Sequence, residues 1–184
     1  MDANSECGQL AAPFAQCQSQ TQVFRKASEV RGRLRNMEIN SNAPVVASSE
    51  ILVEAPIDTV WEVLSDINGW PNWNPAVNEA TLEGGLVPGS VFRWKAGPGG
   101  ITSILREIDR PHRLGWTGKT FGINGIHVYR FEKDGTGTRV RTAESWEGLP
   151  TRLMRGRMQT MLETALALGL EALKGEAERR AAGG

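Results

Sequence analysis

The chain has 184 residues, 40% of them hydrophobic, with six tryptophans and a formal charge of zero at pH 7. That is enough apolar material for one globular domain with a full core. The balanced charge offers no basic footprint of the kind that nucleic acid or an anionic membrane calls for, so neither is an expected partner.

Residues 1–43 mix Gln, Ser, Asn and Ala with a basic patch of Arg25, Lys26, Arg31, Arg33 and Arg35. They lack sustained apolar periodicity, which predicts a disordered leader ahead of a domain spanning residues 44–184. Val23 to Leu34 is the stretch of the leader able to wind into a short amphipathic helix. Cys7 and Cys17 both lie there, too few for a disulfide framework and far from His112 and His127. No metal site is therefore expected, and the compartment reads as reducing. The start lacks the basic and apolar regions of a signal peptide, and no run approaches the eighteen or so apolar residues of a membrane span. A cytoplasmic protein without integral membrane association is the expectation. The globular pattern begins after Met37, which makes Met37 a candidate native start.

Val45 to Val53 alternates as a strand. Glu54-Ala55-Pro56 ends it, because Pro56 removes a ladder donor and biases Ala55 away from the helical region. A helix should follow, capped by Asp58, with Val60, Trp61, Val63, Leu64 and Ile67 on its apolar face. Gly69, Pro71 and Pro75 then break the chain around Trp70 and Trp73, predicting a short second turn of helix or a tight loop. Its two indoles either seal the end of the core or form a lid over a ligand.

From Ala76 to Trp146 the punctuation is that of an antiparallel meander, with strands predicted over Val77–Glu83, Ser90–Ala96, Thr102–Asp109, Arg113–Gly118, Gly125–Lys133 and Thr138–Trp146. Turn signals separate them: Gly84-Gly85 with Pro88-Gly89, Gly97-Pro98-Gly99-Gly100, Pro111, Gly122 and Asp134-Gly135. From Leu149 to Arg180 apolar residues recur at spacings of three and four, Met154, Met158, Met161, Leu162, Ala165, Leu166, Leu168, Leu170 and Leu173 among them, so one long amphipathic helix is expected. At 1.5 Å per residue it reaches roughly 45 Å, and its stripe needs a broad partner, which here is a sheet. The order is an α+β plan: a curved seven-stranded antiparallel sheet around a long C-terminal helix, with two short helices between strands 1 and 2.

These residues carry a resemblance. Glu54-Ala55-Pro56-Ile57-Asp58-Thr59-Val60-Trp61, Trp70-Pro71-Asn72-Trp73-Asn74-Pro75, Leu114-Gly115-Trp116-Thr117-Gly118, Gly137-Thr138-Arg139-Val140 and Glu144-Ser145-Trp146-Glu147-Gly148 resemble the START-like (SRPBCC) superfamily. Within it they are most similar to the polyketide cyclase/dehydrase and lipid transport branch. The resemblance covers about residues 45–180. It implies the helix-grip fold and a deep apolar cavity between sheet and terminal helix, without implying a shared catalytic set.

Alternation then proposes cavity walls. Trp116 shares a face with Leu114 and Gly118, Phe92 with Trp94, His127 with Tyr129 and Phe131, and Val140 with Thr142, Glu144 and Trp146. The helix answers with Met154, Met158, Met161, Leu162 and Ala165. Unbranched thioether chains conform to irregular shapes, which suits varied apolar ligands, though such a stripe also serves as ordinary core. The expected ligand-binding set is Phe92, Trp94, Trp116, His127, Tyr129, Phe131, Thr142, Trp146, Met154, Met158, Met161 and Leu162. His127 and Glu144 on neighbouring strands make a candidate acid/base pair, with Tyr129 able to polarise a carbonyl. The structural alternative has His127 satisfying a backbone group and Glu144 pairing with an arginine at the rim.

Other signatures fail. Gly118-Lys119-Thr120 lacks the first glycine of a phosphate loop, where Arg113 stands, and no Gly-x-Ser-x-Gly elbow is present. No cofactor is expected. The leading reading is a carrier or sensor for a lipid, isoprenoid or aromatic polyketide-like molecule. The rival is a cyclase or dehydratase working in the same cavity, and a third is an interaction module acting through exposed indoles and the basic leader. Fold alone does not choose among them.

Overall fold

In the computed structural model of the protein, which describes residues 37–97 and 99–183, the alternating stretch Val45–Val53 is strand β1, with Val45, Ala47 and Val53 buried. Pro56 follows and is itself the N-cap of helix α1, Ile57–Ser65. The expectation that Asp58 caps this helix is thus corrected. Proline has no N–H to leave unpaired and its fixed φ suits a helix entrance. Asp58 sits instead in the first turn, where a carboxylate still favours the positive end of the helix dipole.

A 3₁₀ helix, Ile67–Asn72, comes next. Six strands follow: β2 Val77–Leu82, β3 Val91–Ala96, β4 Gly99–Asp109, β5 Arg113–Thr120, β6 Ile123–Asp134 and β7 Gly137–Gly148. The curved sheet has the order β1-β7-β6-β5-β4-β3-β2 and is antiparallel throughout. Since β1 and β2 are its two edges, α1 and the 3₁₀ helix carry the chain from one edge to the other.

The chain ends in α2, Leu149–Leu153, and α3, Arg155–Ala182. The single helix expected from Leu149 to Arg180 is therefore interrupted, at Met154, whose backbone (φ −121°, ψ 37°) leaves the helical region. The 28 residues of α3 extend about 42 Å, alongside β1. Gln159 bonds both backbone groups of Val46, its Nε2 donating to the carbonyl at 2.7 Å and its Oε1 accepting from the N–H at 3.3 Å. Further along, Lys174 Nζ donates to the Leu52 carbonyl and Glu178 accepts from the Glu54 N–H. An edge strand left bare is a template for aggregation; here helix side chains satisfy it.

At 100° per residue α3 carries two apolar stripes set roughly a third of a turn apart. Leu162, Leu166, Leu170, Leu173 and Ala177 are buried. Leu162 and Leu166 pack on Val45 and Ala47, while Leu170, Leu173 and Ala177 join the main core under α1. Met161, Ala165 and Leu168 form the second stripe and are exposed, as is Met154 at the break before the helix.

The main core is a chain of rings. Trp70 meets Phe92 and Trp94 edge-on at 5.7 Å and leans on Trp116. Tyr129 stacks between Trp116 and Phe131, and Phe131 abuts Trp61. Trp70 Nε1 donates to the Leu64 carbonyl at 2.8 Å, satisfying one of the free carbonyls at the C-terminus of α1. Its indole is therefore core, not the exposed anchor of an interaction module.

Residues 37–43, which the sequence places in the leader, pack on the outer face of the sheet, and the compact unit runs from Met37. The Met37 N–H donates to Glu107 Oε2 at 3.1 Å and its sulfur rests against Gly115. Glu38 pairs with Arg130, and the Asn40 N–H donates to Ser145 Oγ. The basic patch, the candidate helix Val23 to Leu34 and both cysteines lie outside the described residues.

Gly148 makes the turn from β7 into α2 with φ +139°, and a Cβ there would collide with the Gly122 carbonyl. Gly148→Ala is expected to cost roughly 2 kcal/mol through strain and displacement of the β5–β6 turn. Unfolding free energies from denaturant titration within 0.5 kcal/mol of each other, taking ~0.5 as the neutral range for surface changes, would contradict this.

Candidate functional site

Alternation places Leu114, Trp116, His127, Tyr129, Phe131, Val140, Thr142 and Glu144 on the inner face of the sheet, toward α3, and the ladder sets them side by side: Trp116 opposite His127, and His127 opposite Glu144. His127 Nδ1 lies 3.2 Å from Glu144 Oε2, and Nε2 lies 2.8 Å from Thr142 Oγ1. Glu144 Oε1 accepts from Trp146 Nε1 at 2.7 Å.

The hydrogen bonds decide the protons. The Thr142 hydroxyl donates to the Val128 carbonyl at 3.2 Å, so its oxygen accepts from His127 Nε2–H. A neutral imidazole protonated at Nε2 has Nδ1 as an acceptor. The facing Glu144 oxygen must then carry a proton, or two lone pairs would oppose each other. Burial agrees with this assignment: it pushes Glu144 up to about 7 and His127 down to about 3, because each loses its hydration shell on becoming charged. Burial also raises the Tyr129 phenol, which stays neutral. Of the pair, His127 has both ring nitrogens engaged, whereas the Glu144 side chain is 17% exposed and is the member able to touch a ligand. Among the described residues no rim arginine pairs with Glu144: its partners are His127 and the Trp146 indole.

The expected binding residues separate into groups. His127, Thr142, Glu144 and Trp146 come together, and Trp146 and Met158 both pack on the small core of Val45, Ala47, Leu162 and Leu166. Trp94 is partly exposed, with its N–H on Ser103 Oγ at 3.1 Å. Met154, at the break before α3, and Met161, on its second stripe, are exposed. Phe92, Trp116, Phe131 and Leu162 are buried in the core clusters, packed among rings or against β1 side chains. Trp70 fills the α1 end of the space that the sequence left for a cavity.

Among the described residues there is an open groove. Between the Trp73–Ala76 connection and the side of α3 bearing Leu168, Ala172, Gly175 and Arg179 lies an apolar cleft of about 700 Å³. Trp73 is half-buried and its indole N–H has no partner. Sequence reading named Trp73 as a lid candidate and placed the helix wall at Met154, Met158, Met161, Leu162 and Ala165, and so missed the α3 side of this groove. Its signal was the recurrence of Leu168, Ala172, Gly175 and Arg179 at helical spacing.

A family model described as polyketide cyclase / dehydrase and lipid transport matches residues 44–178. No curated protein matches. Among solved structures, the hypothetical protein jhp0584 from Helicobacter pylori superposes with a TM-score of 0.68 at 17% identity, over 76% of this chain and 91% of that one. A START superfamily protein from Mycobacterium smegmatis gives 0.65 at 16% identity, over 73% and 97%. The Zhui aromatase/cyclase from Streptomyces sp. R1128 gives 0.63 at 24% identity, over 76% and 98%.

Proposed function

The chain belongs to the polyketide cyclase/dehydrase and lipid transport family, and on that premise we propose that it holds a small or medium apolar molecule along the groove between α3 and the Trp73–Ala76 connection, as a carrier or sensor. The observation that carries this is the second apolar stripe of α3. Met161, Ala165 and Leu168 are exposed, and Leu168 leads into a cleft of about 700 Å³, within the usual range for ligand sites of about 300–1,000 Å³. An apolar stripe facing water has no structural use, and a ligand of matching size would cover it at a gain of about 25 cal/mol per Å² of apolar area removed from water. Glu171, Glu176 and Arg179 on the α3 side are the polar groups that would orient one end.

The test uses N-phenyl-1-naphthylamine as an apolar fluorescent probe, together with native mass spectrometry of protein from its own host. Leu168→Glu puts a charge on the groove wall at an exposed helix position, so folding should be unaffected while probe affinity falls at least about tenfold, reflecting the cost of burying a polar group. Equal binding by the two proteins would remove the groove from consideration.

A second reading is favoured by one observation, the partly exposed Glu144 carboxyl on the inner face of the sheet with His127 Nδ1 3.2 Å from it. In a cyclase or dehydratase, Glu144 would be the general acid, His127 its positioning partner, and Tyr129 a neutral phenol beside them.

A further inference from the structure

At the end of the sheet where the turns meet the last helices, the protein carries an apolar patch among cations. The β5–β6 turn presents Phe121, 74% exposed, and α2 with its break presents Leu149, Leu153 and Met154, at 67%, 75% and 44%. They are neighbours in space. Ile123 pairs with Gly148, Pro150 lies within 3.9 Å of where Gly122 would carry a Cβ, and the Phe121 ring reaches over Gly99 at the β3–β4 turn. So large an exposed cluster marks a surface that is covered in use.

Charge says by what. Lys119, Arg152, Arg155 and Arg157 are exposed in the same region, and none of them forms an ion pair among the described residues. The β7 arginines contrast with them: Arg139 and Arg141 are engaged by Glu50, Asp134 and Glu132. From Leu149 to Leu162 the chain has three arginines and no carboxylate. The zero net charge thus conceals a basic, greasy end. A second copy of the chain fits poorly, since a two-fold contact would set these arginines against themselves. No helix of the described residues is long and apolar enough to cross a membrane, which leaves contact at a surface.

We infer that this end docks on an anionic lipid bilayer, with Phe121, Leu149, Leu153 and Met154 entering the headgroup boundary and the four cations holding lipid phosphates. Basic residues flanking an apolar face are what such interfacial binding requires, at about 1 kcal/mol for each cation near the surface. The surface lies beside the first turns of α3, whereas the groove begins at Leu168, about 20 Å further along the helix, and the inference does not depend on what the groove holds.

The experiment is co-sedimentation of the full chain with vesicles of phosphatidylcholine and phosphatidylglycerol at 3:1, against phosphatidylcholine alone. Partition should be at least tenfold stronger onto the anionic vesicles and should weaken as salt is raised, because exposed charges are screened. Replacing Arg152, Arg155 and Arg157 together by Gln should lower it about 100-fold, and Leu149→Ser with Leu153→Ser about tenfold, both with unchanged melting temperature. Leu168→Glu should leave it unchanged, so loss of probe binding and loss of vesicle binding can be told apart. Binding that survives both patch variants would belong to the basic leader and overturn the inference. So would no preference for anionic vesicles, or a dimer that Leu153→Ser dissociates.

Discussion

Trp70→Ala is expected to lower the stability of the protein by roughly 3–5 kcal/mol, the range for emptying a large buried aromatic site. Trp70 is 4% exposed, touches Phe92, Trp94 and Trp116, and donates its N–H to the Leu64 carbonyl. Three losses coincide on truncation: the transfer of the indole from water, the contacts of three rings across the void, and the one partner that closes the end of α1. The surroundings relax little, because the replaced side chain is held by a short turn rather than a long element. Asp66 accepts from the Gly69 N–H at 3.2 Å, Gly69 lies so close to that carboxylate that a Cβ would strike it, and Pro71 follows. Trp70→Phe separates the terms, since it keeps most of the ring packing and leaves only the Leu64 carbonyl unpaired, for about 1–3 kcal/mol. Urea midpoints with unchanged slopes would measure both, and a loss below 1 kcal/mol in the alanine variant, under the ~2 minimum for such cavities, would show that the cluster does not anchor the core. The same variant reports on function. If the groove binds apolar molecules, the void left at the α1 end should admit longer probes than the wild-type protein takes.

The strands were legible because their punctuation is local. Gly84, Gly89, Gly97, Gly122 and Gly135 have positive φ and stand at the turns, and between them alternation alone fixes which side chains face inward. The inward faces of β5, β6 and β7 follow from it, and so does the meeting of His127 with Glu144. Three features were hidden, each for a physical reason. The two stripes of α3 look like one broad stripe, and only contact with β1 decides that Leu162 and Leu166 are covered while Met161 and Leu168 are not. Met37 to Ala43 shows no periodicity, because it is held by single bonds to residues far away in sequence, Glu107 and Ser145 among them. Overall charge, a sum, carries no information about where Arg152, Arg155 and Arg157 stand.

The dyad makes an expectation of unusual sign: Glu144→Gln should stabilise the protein above neutral pH. Folding holds the Glu144 carboxyl at about 7 against an ordinary 4.5, because burial disfavours the carboxylate. Between those values the folded protein keeps a proton that the unfolded chain has released, so stability falls as pH rises through this window and is flat above it, by a total of order 3 kcal/mol. A glutamine amide can donate to His127 Nδ1 and accept from the Trp146 indole without ever ionising. The two proteins should therefore match below the ordinary 4.5, and the variant should gain steadily from there up to about pH 7. His127 works in the opposite sense, its imidazole depressed to about 3, so stability is lost as pH falls below 6.5. That loss is common to both proteins and cancels in their difference. Chemical denaturation at pH 5, 6, 7 and 8 reads the difference directly, and a constant offset would mean that the proton lies elsewhere. The result also bears on catalysis. A variant that is more stable, equally folded and unable to turn over a cyclisation substrate would identify Glu144 as an acid, since lost activity could not then be ascribed to damage of the fold.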